Sequence, residues 1–246
     1  MFKVPHKKAA PRSGETWGHL PTPAASRWRD LRVVVLTLST GAMDAASYLR
    51  LGHVFSSVIT GNLVLIGAAA GQQAGLLALN CGLAVGGYGA GVLAGGAFAG
   101  TPERGQPAWP RQATITLAVE IVLLAGFSVG WLAAGGHPRG AGRLAMLVLA
   151  AAAMGVQSTA VRRLGPMSTT YLTSTMTGLL TALAIRRWPA EWRRSTGVLA
   201  AVMAGAACGA LATAWAPAWL PAALLVPVAS VTLTSLALRW WPGNVS

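Results

Sequence analysis

The sequence predicts an all-α protein: a polytopic transmembrane helical bundle of about eight spans, arranged as two parallel four-helix repeats. Three observations carry that prediction. Hydrophobic residues make up 54% of the 246-residue chain and charged residues only 10%, against about 25% charged in soluble domains. Several apolar runs reach about 18 residues, the length that crosses roughly 30 Å of hydrocarbon. The segment starting at Asp44 also resembles the segment starting at Gln157. The alternating ten-residue segments of a barrel do not occur.

Taken in order, residues 1–30 are basic, polar and proline-containing. They lack the apolar stretch of a signal peptide and read as a flexible cytoplasmic tail. Spans are then expected at 32–51, 54–72, 75–100, 112–135, 143–161, 167–185, 195–216 and 219–241. The breaks between them are "LGH", "GQQAG", "TPERGQPAWPR", "GGHPRGAGR", "RRLGP", "RRWPAEWRR" and "APAWLP". Each carries the Gly, Pro or charge that interrupts an apolar helix. Residues 31–140 form the first repeat and 141–246 the second.

Charge placement gives the orientation. The formal net charge is +13, but the basic residues sit in the tail and the short connections, which argues against nucleic acid and for a bilayer. With the N-terminus inside, an eight-span chain places 14 of the 19 Lys and Arg on the inner side. Arg50, Arg104, Arg111, Arg162 and Arg163 fall outside. Tryptophans such as Trp109, Trp131, Trp188 and Trp215 lie near span ends, where amphipathic rings prefer the interface. Cys81 and Cys208 fall within apolar runs and read as small core residues, not a disulfide.

The internal similarity appears on a shift of 113 residues. "DAASYLRLGHVFSSVITGNL" then lies on "QSTAVRRLGPMSTTYLTSTM" without a gap, pairing Arg50 with Arg163 and Thr60 with Thr173. A shift one residue longer pairs Gly41 with Gly155 and Asp44 with Ser158, and both registers remain open. Four spans per half is an even number, so both halves would enter from the same side, about an axis along the membrane normal. Gly87, Gly91 and Gly95 in the third span, and Ala201, Gly205, Gly209 and Thr213 in the seventh, form small-residue ridges that let helices approach closely.

Of six acidic residues, only Asp44 and Glu120 lie within spans. A charged side chain at the bilayer centre costs about 2.5–3.5 kcal/mol on insertion scales, so both point to a proton or cation site facing the bundle interior. Asp44 can lower that cost by protonation or by pairing. Arg50 either snorkels to the interface or closes a pocket beside it. His53 lies at the same turn. Thr60 and Asn62 in "TGN", and Thr173 and Thr175 in "TST", suit hydrogen bonds between helices. With Gln157, Ser158, Arg163 and Glu120 they make up the candidate substrate and proton site. Asp44, Thr60, Asn62, Gln157, Ser158, Thr173 and Thr175 are expected to converge on one central cavity.

"GAMDAASYLRLGHVFSSVITGNLVLIG" resembles the N-terminal signature of the YoaK-like family of bacterial membrane proteins, a domain of unknown function. "MGVQSTAVRRLGPMSTTYLTSTMT" is similar to its second signature. Gly41, Asp44, Ala45, Phe55, Thr60, Gly61, Asn62, Gly155, Gln157, Thr170 and Thr173 match. The family's Gln-Asn-Ala becomes Gln157-Ser158-Thr159 here, and its Thr-Gly-Thr becomes Thr173-Ser174-Thr175. The resemblance implies a multi-pass protein of the bacterial inner membrane and names no substrate.

"GFSVG" at 126–130 fits Gly-x-Ser-x-Gly, but a nucleophile elbow needs a strand-turn-helix context, and this match lies within an apolar span. No zinc spacing, Walker loop or dinucleotide fingerprint occurs, so no catalytic residue, metal or cofactor is expected. The first reading is a secondary transporter for an unknown small solute, for which a buried carboxylate would permit proton coupling. The alternative is a non-transporting scaffold, sensor or partner subunit.

Overall fold

The structure, a computed structural model, describes residues 23–99, 109–164, 172–186 and 192–240. The described residues are helical, with no strand among them. The eight helices are α1 (Pro23–Arg50), α2 (Ile59–Gly71), α3 (Gly75–Ala99), α4 (Arg111–Ala133), α5 (Gly140–Arg162), α6 (Leu172–Ala184), α7 (Trp192–Trp215) and α8 (Leu220–Trp240). A short 3-10 turn, Pro217–Trp219, leads into α8. Five segments are long and apolar enough to cross a membrane: α3, α4, α5, α7 and the turn with α8. A sixth helix, α1, has 28 residues; Asp44 and the basic residues of its first turns lower its hydropathy. The bundle is that of a multi-pass membrane protein. Most of the predicted tail lies outside the described residues, but α1 starts at Pro23, well before residue 32. Proline suits a first helical turn because its missing N–H has no partner there anyway.

Side-chain contacts fix the direction of each helix. The Asp30 carboxylate meets Arg194 at 3.0 Å, and Arg50 donates to the Thr213 carbonyl at 2.6 Å; α1 and α7 therefore run parallel. The Arg32 guanidinium lies 4.7 Å from the Trp109 ring, just ahead of α4, so α4 starts at the end where α1 starts. At the other end, the Trp131 indole N–H donates to the Pro217 carbonyl at 2.7 Å, where α8 begins. Gln157 of α5 reaches Thr40 of α1, whereas Asn80 of α3 touches both Gly52 and Arg143. The start of α5 thus lies level with the end of α1, and the two helices are antiparallel. Six helices, α1, α3, α4, α5, α7 and α8, run the length of the bundle in alternating directions.

α2 and α6 do not. Each has 13 residues, or about 20 Å of helix, short of the roughly 30 Å core. α1 ends and α3 begins at the same end of the bundle, so α2 leaves and returns there. α5 ends and α7 begins at the opposite end, and α6 likewise returns to the end it left. The expected span at 54–72 is therefore corrected to a short helix; the expected span at 167–185 begins outside the described residues, and its described part is the short α6, entering from the opposite end. Residues 54–58 are apolar enough to extend a span, but Asp44 ties their backbone down into a turn. One fewer full-length helix ahead of α5, three in place of the expected four, also sets α5 against the expected parallel relation of the halves. Three is an odd number, so α5 starts at the end opposite to α1.

The long helices pack through small residues. α1 lies on α7 and α8, and α5 on α3 and α4. At Gly91, any Cβ would fall on the Ala152 carbonyl of α5; at Gly205, on the Leu38 carbonyl of α1. The outward surface carries Leu93, Val122, Met203, Leu211 and Leu233, as a lipid-facing surface requires.

Candidate functional site

A buried polar cluster stands where α1, α4 and α5 meet. Glu120 of α4 is fully buried. Its Oε1 accepts a hydrogen bond from Gln157 Nε2 of α5 at 2.9 Å. The same Nε2 reaches the Leu36 carbonyl of α1 at 3.5 Å. Gln157 Oε1 in turn accepts from the Thr40 hydroxyl of α1. One amide therefore bridges three helices with every polar atom engaged. Glu120 Oε2 has no hydrogen-bond partner. An unpartnered buried carboxylate oxygen costs on the order of 1–3 kcal/mol, more when charged, which singles out Glu120 as a candidate site.

A second cluster lies one turn further along α1. Asp44 Oδ1 accepts from the Ser56 N–H and hydroxyl, both at 2.9 Å, and from the Ser57 N–H at 2.8 Å. Asp44 Oδ2 accepts from the Ser57 hydroxyl. The carboxylate thus holds the turn that leads into α2. Asn62 completes the turn. Its Nδ2 donates to the Phe55 carbonyl at 2.6 Å and its Oδ1 accepts from the Phe55 N–H at 3.0 Å, so one side chain satisfies a strand-like backbone pair. The reversal begins at Gly52, with φ +123, and His53, with φ +59. A side chain at Gly52 would also strike Asn80.

The expected single convergence is not what these helices build. Gln157 and Glu120 meet. Asp44 and Asn62 serve the α1–α2 turn and share no hydrogen bond with that pair. Arg50 donates to the Thr213 carbonyl in the last turn of α7, as cations do at helix C-termini, and shares no hydrogen bond with Asp44. Ser158, next to Gln157, is buried, while Arg163 sits just past α5 as its C-cap. Thr60 and Thr173 are exposed on the outer faces of the short helices, and Thr175 is half-buried. The threonines diverge because α2 packs on α3, and α6 on α7, at the rim of the bundle. His53 is exposed, its ring edge-on to Tyr48. Ser128 of the "GFSVG" match donates to the Leu124 carbonyl within unbroken α4, so it forms no elbow.

Three side chains of these two clusters, Thr40, Ser56 and Ser57, were not among the residues singled out from the sequence. Thr40 carried a signal, lying one helical turn before Asp44 on the same face of α1. Ser56 and Ser57 were legible as a pair of small hydroxyls next to a glycine turn. No group of three or more potential metal ligands occurs among the described residues.

Comparison with known proteins adds a family. The family described as "Protein of unknown function (DUF1275)" matches residues 33–237. The chain is 33% identical over 158 residues to the UPF0700 transmembrane protein YoaK of Bacillus subtilis (strain 168), covering 63% of this chain and 68% of that protein. No solved structure matches.

Proposed function

Because this chain belongs to the DUF1275 family of proteins of unknown function, we propose its activity from its geometry: a secondary transporter for a small solute, built from two inverted halves around a polar site near mid-membrane. The observation that carries the reading is the pair of short helices. α2 and α6 occupy corresponding positions and enter from opposite ends, and interrupted segments at matching places in two repeats point to the binding region of a transporter.

The helix contacts support the inverted relation. α1 packs on α7 and α8 as α5 packs on α3 and α4, and α2 on α3 as α6 on α7. The glycine contacts support the register. Gly41 lies on Val202 and Ala206, and Gly155 on Tyr88 and Val92; Gly91 lies on Ala152, and Gly205 on Leu38. Every one of these positions maps onto its counterpart by a shift of 114, the longer of the two registers the sequence left open. The axis then passes near Gly41 and Gly155, with Thr40, Gln157 and Glu120 beside it. The halves divide in the α4–α5 connection.

Orientation follows from the revised topology. With the start of α1 cytoplasmic, sixteen of the 19 Lys and Arg fall on the inner side or its connections. Only Arg50, Arg139 and Arg143 fall outside, a stronger inward bias than eight spans give. In a variant with Cys81 and Cys208 replaced by Ala, a cysteine at position 104 is expected to resist an impermeant thiol reagent in intact cells, and one at position 139 to react. Labelling of position 104 from outside would restore the eight-span count.

The transport reading is tested by reconstituting the chain in phosphatidylethanolamine–phosphatidylglycerol vesicles. A panel of amino acids, sugars, nucleosides and organic ions is screened with and without a pH gradient. Gradient-dependent uptake above that of protein-free vesicles is expected for one class. No flux of any class by well-folded protein would favour the scaffold or sensor reading.

A further inference from the structure

We propose that Glu120 is the proton-binding site of this protein, taking and releasing one proton at Oε2 while Oε1 stays on Gln157. The proposal deepens the transport reading, on which its coupling role rests, by naming the ion and the atom. It stands on geometry. A fully buried carboxyl group has one oxygen held and the other unpartnered, at the crossing of α1, α4 and α5, where any rocking of one half against the other must act.

The surroundings select a proton over a metal cation. A hard cation needs several oxygen ligands. Gln157 turns its N–H, not its carbonyl, toward Glu120, and no second carboxylate joins it in a described metal-ligand group. The remaining charges lie elsewhere on the packed elements. α3 carries no charged residue, with Cys81 and Tyr88 as its titratable groups. α8 has only Arg239, at its final turn. On α5, Arg139 and Arg143 lie at the far end, and Arg162 and Arg163 follow Gln157 by five and six residues, about 8–9 Å along the axis. On α4 itself, Arg111 lies more than two turns away. On α1, Arg32 is engaged with Trp109, and Asp44 is committed to Ser56 and Ser57. No ion pair holds Glu120 among the described residues, so its charge is neutralised by a proton or not at all.

The chemistry balances simply: the carboxylate binds H⁺ from water and becomes a carboxylic acid, and the reverse step returns it. A charged Glu120 is the stronger acceptor and pulls on the Gln157 amide, which also touches Leu36 and Thr40 of α1. A protonated Glu120 pulls less. Gln157 therefore transmits the protonation state from α4 to α1, across the boundary between the proposed halves.

The test needs no substrate. Full-length protein in phosphatidylcholine–phosphatidylglycerol vesicles is titrated between acid and alkaline pH in an infrared cell, in choline chloride and again in sodium chloride. A carboxylic-acid carbonyl band that grows on acidification is expected in wild type. It should be absent from Glu120→Gln, displaced in frequency in Glu120→Asp, and retained in Asp44→Asn. Circular dichroism checks each variant for helix content. If Glu120→Gln fails to fold, the Glu120→Asp displacement decides. Superimposable wild-type and variant titrations, or a wild-type band displaced by sodium alone, overturn the proposal. A titrating Glu120 in a protein that moves no solute would leave the proton site standing and remove the transporter reading. Solute flux with no titration at Glu120 would do the reverse.

Discussion

Gly91→Leu is expected to leave no folded protein to purify, whereas Gly89→Leu, two residues away on the same helix, should be recovered at wild-type yield. The contrast follows from what each side chain would meet. A Cβ at Gly91 falls on the carbonyl oxygen, carbonyl carbon and Cα of Ala152 in α5, whereas a Cβ at Gly89 meets nothing within 4 Å. Backbone cannot swing aside as a flexible side chain can, so α3 and α5 must separate. Overpacking that side chains can absorb costs about 1–3 kcal/mol; parting two helices along a glycine ridge forfeits the packing of the whole seam, against a total stability of about 5–15 kcal/mol. In lipid that packing is a principal source of helix association, since the tails are as apolar as the helices. Gly205→Leu should fail in the same way, because its Cβ would fall on the Leu38 carbonyl of α1. The matched failures test the equivalence of the α3–α5 and α7–α1 seams. Thermal unfolding in detergent and size-exclusion profiles read the outcome. Equal melting temperatures for the Gly91 and Gly89 variants would mean that α3 and α5 are not seated as described.

The long helices were legible in the sequence because a bilayer asks for one local quantity, continuous apolar length. The expected 75–100, 112–135 and 195–216 stand beside Gly75–Ala99, Arg111–Ala133 and Trp192–Trp215. The small-residue ridges were legible as ridges, though not their partners. What local length cannot encode is where a chain turns back. Residues 54–72 satisfy the length of a span, yet Asp44, ten residues upstream of Val54, captures Ser56 and Ser57 and uses up the first part of the run. That tertiary contact reverses α3, α4 and α5 relative to an eight-span count, and the return of α6 to the end it left restores the direction of α7 and α8. The candidate site was half legible for the same reason. The cost of a carboxylate in a span flagged Asp44 and Glu120 alike, but only their neighbours separate them. Glu120 meets Gln157 across 37 residues of sequence, and no periodicity announces such a pair.

Asp44→Ala is expected to unfold the α1–α2 turn and cost several kcal/mol, while Asp44→Asn keeps most of the wild-type stability. The asymmetry lies in how the two oxygens are used. Oδ1 accepts three hydrogen bonds, two of them from backbone N–H groups, and Oδ2 accepts one, from the Ser57 hydroxyl. Alanine leaves all four donors without an acceptor in a buried turn, at about 1–3 kcal/mol for each buried group left unmade. Water entering the gap would recover part of that loss. Asparagine places its one carbonyl oxygen where Oδ1 stood and keeps all three of its bonds, including the two from backbone N–H groups. Its NH₂ then faces the Ser57 hydroxyl, which can rotate to accept, because a hydroxyl both donates and accepts. What asparagine removes is the charge, which strengthens each of those bonds by roughly a factor of two, so a modest loss remains. Melting temperatures of the two variants in detergent, with limited proteolysis at residues 53–58, measure the difference. Rapid cleavage of that turn in Asp44→Ala and its protection in Asp44→Asn would establish the carboxylate as the clasp of the re-entering segment. If Asp44→Asn instead folds as wild type and loses pH-gradient-driven transport while Glu120→Gln retains it, the proton site belongs to Asp44, and the clasp is a second use of the same group.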